Sequence, residues 1–286
     1  MTSDIKAQLR ARFPRIAVAY KRTLRPLLQR GGPTARLDRW AAEGERITKS
    51  QGIEGVTVTR GRAWLQEADG YEWLYLPGSS SMLTLKEGRG HETEQLELLS
   101  ERLRPGETLL DVGANIGYMS IRLAKRNSVT AVAIEPVPEM FNALKANIAR
   151  NDVTGLVTPI QAAAMDRPGT VHVTVDRGPA NHLSEDVPGS VVVPARRLDE
   201  LDVAPAVIKC DVEGAELQAL KGAEGLLGSK PPLLVEIEER WTSRFGYSPT
   251  DLFDYLSGFG YRPQMVLPTG LEQGTDVSRT NSFWFE

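Results

Sequence analysis

Two short segments of this chain place acids and small residues where a nucleoside-like ligand can be held. In Leu109-Leu110-Asp111-Val112-Gly113-Ala114-Asn115-Ile116-Gly117-Tyr118 an apolar run ends in an acid, a turn of small residues follows, and a helical pattern begins. A strand-to-helix loop with so little side chain lets a ligand lie against the backbone at a helix start. Glu135 closes the next apolar run, 24 residues after Asp111. A carboxylate carries two acceptor oxygens at a spacing that suits a diol, so Glu135 is expected to grip both hydroxyls of a ribose. The dinucleotide fingerprint needs glycines at relative positions 1, 3 and 6. Counted from Gly113, those places hold Gly113, Asn115 and Tyr118, which argues against a pyrophosphate ligand.

The second segment is Val207-Ile208-Lys209-Cys210-Asp211-Val212-Glu213-Gly214-Ala215-Glu216. Residues two apart on a strand share a face, so Lys209 and Asp211 are expected to point the same way. A Lys and an Asp together at a strand end are costly to desolvate unless they are paired or in use. Cys210 is expected to act as a small buried hydrophobe. The histidines are His91, His172 and His182, and no two have the spacing of a local metal site. No metal is assigned, although Asp211, Glu213 and Glu236 leave a Mg²⁺-type site open as an alternative.

These residues need a framework, and the apolar pattern supplies one. From residue 92 onward, strands and helices alternate, the signature of a mostly parallel α/β sheet. Strands are expected at Thr108–Val112, Val129–Ile134, Val157–Ala163, Ala206–Cys210 and Leu233–Ile237, with Tyr261–Val266 and Ser282–Phe285 as a final antiparallel pair. Helices are expected at Glu92–Leu103, Tyr118–Arg126, Pro138–Asn151 and Ala215–Leu226, and from Pro249 behind a Ser248 cap. The result is a seven-stranded Rossmann-like sheet with helices on both faces. Ligands in such sheets bind beyond the carboxyl ends of the strands, where Asp111, Glu135, Ala163, Asp211 and Glu236 should converge. Residues 1–90 read as an N-terminal extension of helices plus a small β element, and 91–286 as the catalytic domain.

The motifs resemble, in order, those of the FkbM-type methyltransferases: Asp111–Gly117, Glu135-Pro136 with Asn147 behind it, Arg197-Leu198-Asp199-Glu200-Leu201, Ile208–Glu216, Leu220-Lys221-Gly222-Ala223 and Val235-Glu236-Ile237. The resemblance covers roughly residues 92–265. It implies a class I methyltransferase sheet that uses S-adenosyl-L-methionine (SAM) to methylate a hydroxyl of a sugar or natural-product intermediate. By the same resemblance, Gly113 and Gly117 would allow close approach of the methionine half, and Asn115 would fix the loop or cap the following helix. Asp111 would orient the cofactor ammonium or tie the loop amides. Ala163 and Ala164 would flank the adenine, and Glu94 would be the glutamate that the family carries near the cofactor. Asp211 is the first choice for the group that orients the acceptor or takes its proton. Lys209 would pair with it, or act as a base if its pKa were depressed. Glu236 is next, and His182 is either a loop base or a plain surface histidine. The alternatives are a nicotinamide-dependent oxidoreductase and a non-catalytic SAM-binding protein of the same fold.

Composition bounds the partners. The 286 residues carry 41% apolar residues, 25% charged residues and a net charge of -3, those of an ordinary globule with no overall nucleic-acid footprint. A single cysteine fits a reducing, cytoplasmic setting. No apolar run reaches the length of a membrane span. Residues 1–39 hold ten Lys/Arg against Asp4 and Asp38, so a solvated helix or weak peripheral contact with anionic lipid is expected there. Whether residues 1–90 form a lid, a homodimer arm or a substrate platform stays open.

Overall fold

The computed structural model describes residues 53–59, 62–74, 76, 92–174, 183–184 and 190–286. The basic N-terminal stretch, the polar helix expected at 34–50, His91 and His182 lie outside the described residues. The chain divides into two compact units, Met1–Gly78 and Ser79–Glu286. In the first, β1 (Ile53–Thr59), β2 (Arg62–Glu67) and β3 (Glu72–Leu74) form an antiparallel meander. Tyr71 stacks on Trp73 with ring centres 6.0 Å apart, and Trp73 Nε1 donates to Glu67 at 2.8 Å.

The second unit opens with α1 (Thr93–Arg102). Then come β4 (Thr108–Val112), α2 (Tyr118–Asn127), β5 (Thr130–Ile134), α3 (Pro138–Arg150) and β6 (Val157–Ile160). β7 (Ala163–Ala164), β8 (Gly169–Thr174), β9 (Leu183–Ser184) and β10 (Ser190–Arg196) follow. Next are β11 (Val207–Cys210), α4 (Glu216–Lys221), α5 (Glu224–Gly228), β12 (Leu233–Glu236) and α6 (Glu239–Thr242). The chain closes with α7 (Pro249–Gly258), β13 (Pro263–Leu267), β14 (Gly270–Gln273) and β15 (Ser282–Phe285). Pro138 starts α3, and Ser248 with Asp251 forms a capping box on α7, as their sequence signals require.

The main sheet runs β14-β13-β15-β12-β11-β4-β5-β6. β12-β11-β4-β5-β6 are parallel, and β15 inserts antiparallel between β12 and β13. β4, β11 and β12 are almost wholly buried, and apolar apart from Thr108, Asp111, Lys209 and Glu236, as strands covered on both faces must be. The sheet has eight strands rather than seven, because Gly270 turns β13 back into an extra edge hairpin, β14. Strand order reverses between β4 and β11, so the crevice beyond their carboxyl ends is the topological switch point. Among the described residues no helix is long and apolar enough to cross a membrane.

Three local expectations change. The single strand expected at Val157–Ala163 splits: β6 stays in the main sheet, while β7 pairs with β10 in a separate sheet, β7-β10-β8-β9. No strand is expected from the residues at Ser190–Arg196, where Pro194 interrupts the valine run, yet β10 is an inner strand of that sheet. The helix expected over Ala215–Leu226 breaks at Gly222-Ala223. A Cβ on Gly222 would stand 2.1 Å from the Met165 carbonyl oxygen, so the backbones meet there. The Asp199 carboxylate accepts from the amides of Gly225 and Leu226 at 3.1 Å each, and Arg197 holds that carboxylate at 3.0 Å. The Arg-Leu-Asp and Lys-Gly-Ala motifs thus form a structural staple at the start of α5.

Candidate active site

The loop between β4 and α2 is locked by its own backbone. The Gly113 and Ala114 amides both donate to the Ile134 carbonyl at 2.9 Å, which ties β4 to β5 at their carboxyl ends. Asn147, fully buried on α3, donates from Nδ2 to the Ile116 carbonyl at 2.8 Å. Gly113 is required by a neighbouring strand, since a Cβ would lie 1.8 Å from the Asp211 carbonyl oxygen. Gly117 has φ 90°, a left-handed conformation that favours glycine, and a Cβ there would also meet the Leu144 side chain at 2.5 Å. Asn115 takes the left-handed conformation at φ 53°, which Asn tolerates better than most residues.

That conformation aims the Asn115 amide at Glu135. The Glu135 Oε2 accepts from the Asn115 amide at 2.9 Å, and Oε1 from the Val137 amide at 2.8 Å. Each oxygen keeps a further lone pair, and the residue lines the cleft at the switch point. Burial pushes its pKa up to about 7, with the two amides and the Lys209 ammonium pulling the other way.

On the adjacent strand, Lys209 sits in register with Asp111 across the parallel pair β11–β4. Its ammonium lies 3.1 Å from Asp211 Oδ2 and 3.7 Å from Asp111 Oδ1. Asp111 is fully buried and takes the Ser120 hydroxyl at 2.5 Å. Burial alone would lower the Lys209 pKa. The carboxylates of Asp211, Asp111 and Glu92 outweigh it and hold the ammonium protonated, so the condition for Lys209 to act as a base is not met. Glu92 also belongs to this group. Burial pushes its carboxyl up to about 7, Lys209 pulls it down, and Asp211 and Asp111 raise it. Glu94, two residues on in the first turn of α1, does not line the cleft.

Beyond Cys210 the chain leaves the sheet through a turn with Glu213 at φ 55° and Gly214 at φ 103°. Buried Glu216 clamps this turn. Its Oε1 accepts from the amides of Val212 at 3.1 Å and Gly214 at 2.9 Å. The Tyr247 hydroxyl stands 2.9 Å from the Gly214 carbonyl and 3.0 Å from Glu216 Oε2, and accepts from the Leu217 amide at 3.4 Å. Tyr247→Phe is expected to cost about 1–2 kcal/mol in urea unfolding, since the clamp loses its closing hydroxyl while both amide bonds to Glu216 persist. An unchanged midpoint would show the turn to be held without it.

The cleft so formed lies beyond the carboxyl ends of β4, β5 and β11. Gly113, Asn115, Glu135, Ala163, Ala164, Asp211 and Glu213 line it, with apolar Val137 and Met140. Asp111, Gly117, Lys209 and Glu236 are not among the residues that line it. Asn281 Nδ2 donates to Glu236 at 2.6 Å, and burial, then Asp211, raises the Glu236 pKa well above its ordinary value. Cys210 is fully buried and its thiol pushed up by burial, in keeping with a packing role. Asp211, Glu213 and Glu236 are not gathered as ligands, and among the described residues no three His, Cys, Asp or Glu groups could hold a metal ion. Glu94 is the acid expected here from the family resemblance, whereas Glu92 is the one whose carboxyl feels the Lys209 ammonium. Glu92 is the cap residue of α1, a position that residue order does not single out.

Residues 111–263 match the methyltransferase FkbM domain. The chain is 30% identical over 200 residues to the hexuronic acid methyltransferase AglP of Haloferax volcanii, covering 68% of this chain and 79% of that protein. It is 34% identical over 116 residues to the 31-O-demethyl-FK506 methyltransferase FkbM of Streptomyces tacrolimicus, covering 37% of this chain and 44% of that protein. It is 25% identical over 219 residues to the methyltransferase sdnD of Sordaria araneosa, with 62% and 76% covered.

Proposed function

The chain belongs to the FkbM methyltransferase family, and from that we propose that it transfers the methyl group of SAM to a hydroxyl of a small acceptor, a sugar or natural-product intermediate. The observation that carries this reading is the placement of Glu135, the Gly113–Asn115 loop and Asp211 around one cleft at the switch point. The residues fit the cofactor. Glu135 offers two carboxylate oxygens to a ribose diol, Ala163 and Ala164 leave room beside Val137 and Met140 for a flat base, and the backbone of the Gly113 loop lies open to the amino-acid half.

SAM supplies a methyl group on an already activated sulfonium leaving group. The protein's task is then to hold an acceptor oxygen in line with the C–S bond, and orientation of this kind can supply roughly 7–11 kcal/mol. Glu135 and the Gly113–Asn115 loop would hold SAM, which would supply the methyl group to the acceptor oxygen and leave as the neutral thioether. The hydroxyl proton passes to Asp211, whose carboxylate lines the cleft and is oriented by Lys209 at 3.1 Å. Lys209 is a positioning residue here, tied also to the Gly113 carbonyl at 3.5 Å, so one ammonium joins the cofactor loop to the acceptor side.

The test is methyl transfer from labelled SAM to a panel of monosaccharides, glycosides and hydroxylated polyketides. Asp211→Asn is expected to slow transfer about 10²-fold, the lower end for a lost general base, because the amide oxygen still orients the hydroxyl. SAM affinity should stay within a few-fold. No transfer across the panel, with SAM still bound, would turn the reading toward a binding protein. No SAM binding would end it.

A further inference from the structure

Asp211 stands at the end of a strand with two neighbours. On one side, β4 and β5 lead to the Gly113 loop and Glu135; on the other, β12 ends in Glu236. Cys210 and Val235 are paired across the parallel strands β11 and β12, so Asp211 and Glu236 leave the sheet side by side. The charged groups that act on Glu236 are Asp211, Lys209, Glu238 and Glu213, and three of these four are acids. What holds Glu236 in place is a chain of side chains from the opposite end of the sequence. Gln95 on α1 donates from Nε2 to the Ser282 hydroxyl, and Ser282 donates to Asn281 Oδ1 at 3.2 Å. Asn281 Nδ2 then donates to Glu236 at 2.6 Å and to Glu238 at 3.2 Å. Its backbone carbonyl accepts the Ile237 amide, between those two acids, at 2.6 Å. One amide nitrogen with two hydrogens thus bridges two carboxyl groups that would otherwise repel. Every hydrogen in the chain points toward the acids, so each bond polarises the next. Gln95 and Ser282 are 4% and 5% exposed, on a helix face and a strand otherwise built of leucines and aromatics. A buried bond of this kind contributes little over an apolar pair of the same shape, so stability is a poor reason for it.

We propose that Asn281, braced by Ser282 and Gln95, is a positioning residue for methyl transfer, fixing Glu236 beside Asp211 so that the Asp211 carboxylate keeps its aim at the acceptor hydroxyl. The proposal rests on the function read above and deepens it on the acceptor side. Neither Asn281 nor Glu236 lines the cleft, so Asn281 acts through Glu236 and Asp211 rather than on a ligand. Asp211 is set between Lys209, which draws its carboxylate at 3.1 Å, and the acid at the end of β12. Without the bridging amide, Glu236 and Glu238 part, and Asp211 loses the neighbour that confines it. Its carboxylate then samples orientations that miss the hydroxyl. Glu135 and the Gly113 loop, carried by β5 and β4, keep their own backbone bonds, so the cofactor grip is unaffected.

The experiment is steady-state methyl transfer by the full chain to whichever acceptor of the panel it turns over fastest, alongside SAM calorimetry and urea unfolding. Asn281→Ala should lower kcat roughly 10- to 100-fold, the range for a reacting group displaced by up to about 1 Å. Acceptor KM and SAM affinity should stay within about threefold, the split expected when only the transition state is disturbed. Gln95→Leu combined with Ser282→Ala should lower kcat about tenfold. Its urea midpoint should match wild type, because both partners of the buried bond become apolar together. A merely structural network would do the reverse, lowering the midpoint and sparing kcat. Should Asn281→Ala not fold, the double variant decides by the same criteria. Wild-type kcat in either variant, or a fall in kcat matched by an equal loss of SAM affinity, would overturn the inference and leave the proposed reaction standing. No methyl transfer by wild type to any acceptor would overturn both.

Discussion

Glu135→Ala is expected to weaken SAM binding by roughly 10²–10⁴-fold, because two hydrogen bonds to an ionised carboxylate are lost and each is worth about 1.5–3 kcal/mol. The loss has a second source. Glu135 also accepts the Asn115 and Val137 amides, at 2.9 and 2.8 Å, and its removal frees the left-handed residue at the centre of the cofactor loop. Glu135→Gln separates the two contributions. The amide keeps one acceptor oxygen and the size of the side chain, so it should lie between wild type and alanine. The pH dependence follows from the same carboxyl. Ribose hydroxyls donate, so they bind the ionised form, and burial places the Glu135 pKa at about 7. Wild-type affinity should therefore fall as pH drops from 8 to 6, and the Glu135→Gln variant should lose that part of the slope. Calorimetry across this range is the check, and an affinity indifferent to Glu135→Ala would remove the ribose grip from the cofactor reading.

What sequence could and could not reveal about this site follows from the distance over which each contact forms. The run from Leu109 to Tyr118 encodes its own strand, loop and helix, so the cradle was readable from local pattern alone. The same holds for Glu135, which needs only to end the next strand. Lys209 was legible as a partner of Asp211, its neighbour two residues on. Its approach to Asp111 depends on β11 lying beside β4 in one register out of several, and nothing within either segment states that register. By its type and place Gly113 makes room for a ligand, whereas its nearest demand comes from the Asp211 carbonyl, just past a strand far along the chain. Glu92 and Glu94 differ only in which side of a helix start they occupy, a matter of one backbone turn. The eighth strand and the β7–β10 pairing escaped notice because short edge segments gain their stability from partners rather than from their own apolar pattern.

The same register makes Lys209 the residue whose loss should harm the fold most. Lys209 is 6% exposed and Asp111 0%, so both charges have left water. Pairing them instead of building an apolar contact gains little stability, but removing one partner leaves the other charged in a medium that cannot solvate it. Lys209→Met keeps the length and apolar stem of the side chain and deletes only the charge, and should cost about 3–5 kcal/mol in urea unfolding. The cost should depend on pH in a defined direction. Lys209 holds the Glu92 carboxyl down against burial, which still pushes it up to about 7. Without the ammonium, Glu92 rises further above the unfolded value of about 4.5. A carboxyl raised in the folded state is neutral in both states at low pH, and its penalty grows as pH climbs through the interval between the two values. The deficit of Lys209→Met should therefore be larger at pH 8 than at pH 5, whereas a pure packing defect would be the same at both. A second substitution tests the source of the cost. Asp111→Asn in the Lys209→Met background removes the stranded charge while retaining an acceptor for the Ser120 hydroxyl, and should recover part of the loss. If the double variant is no more stable than the single one and the deficit is flat in pH, the ion pair across β4 and β11 is not what Lys209 contributes.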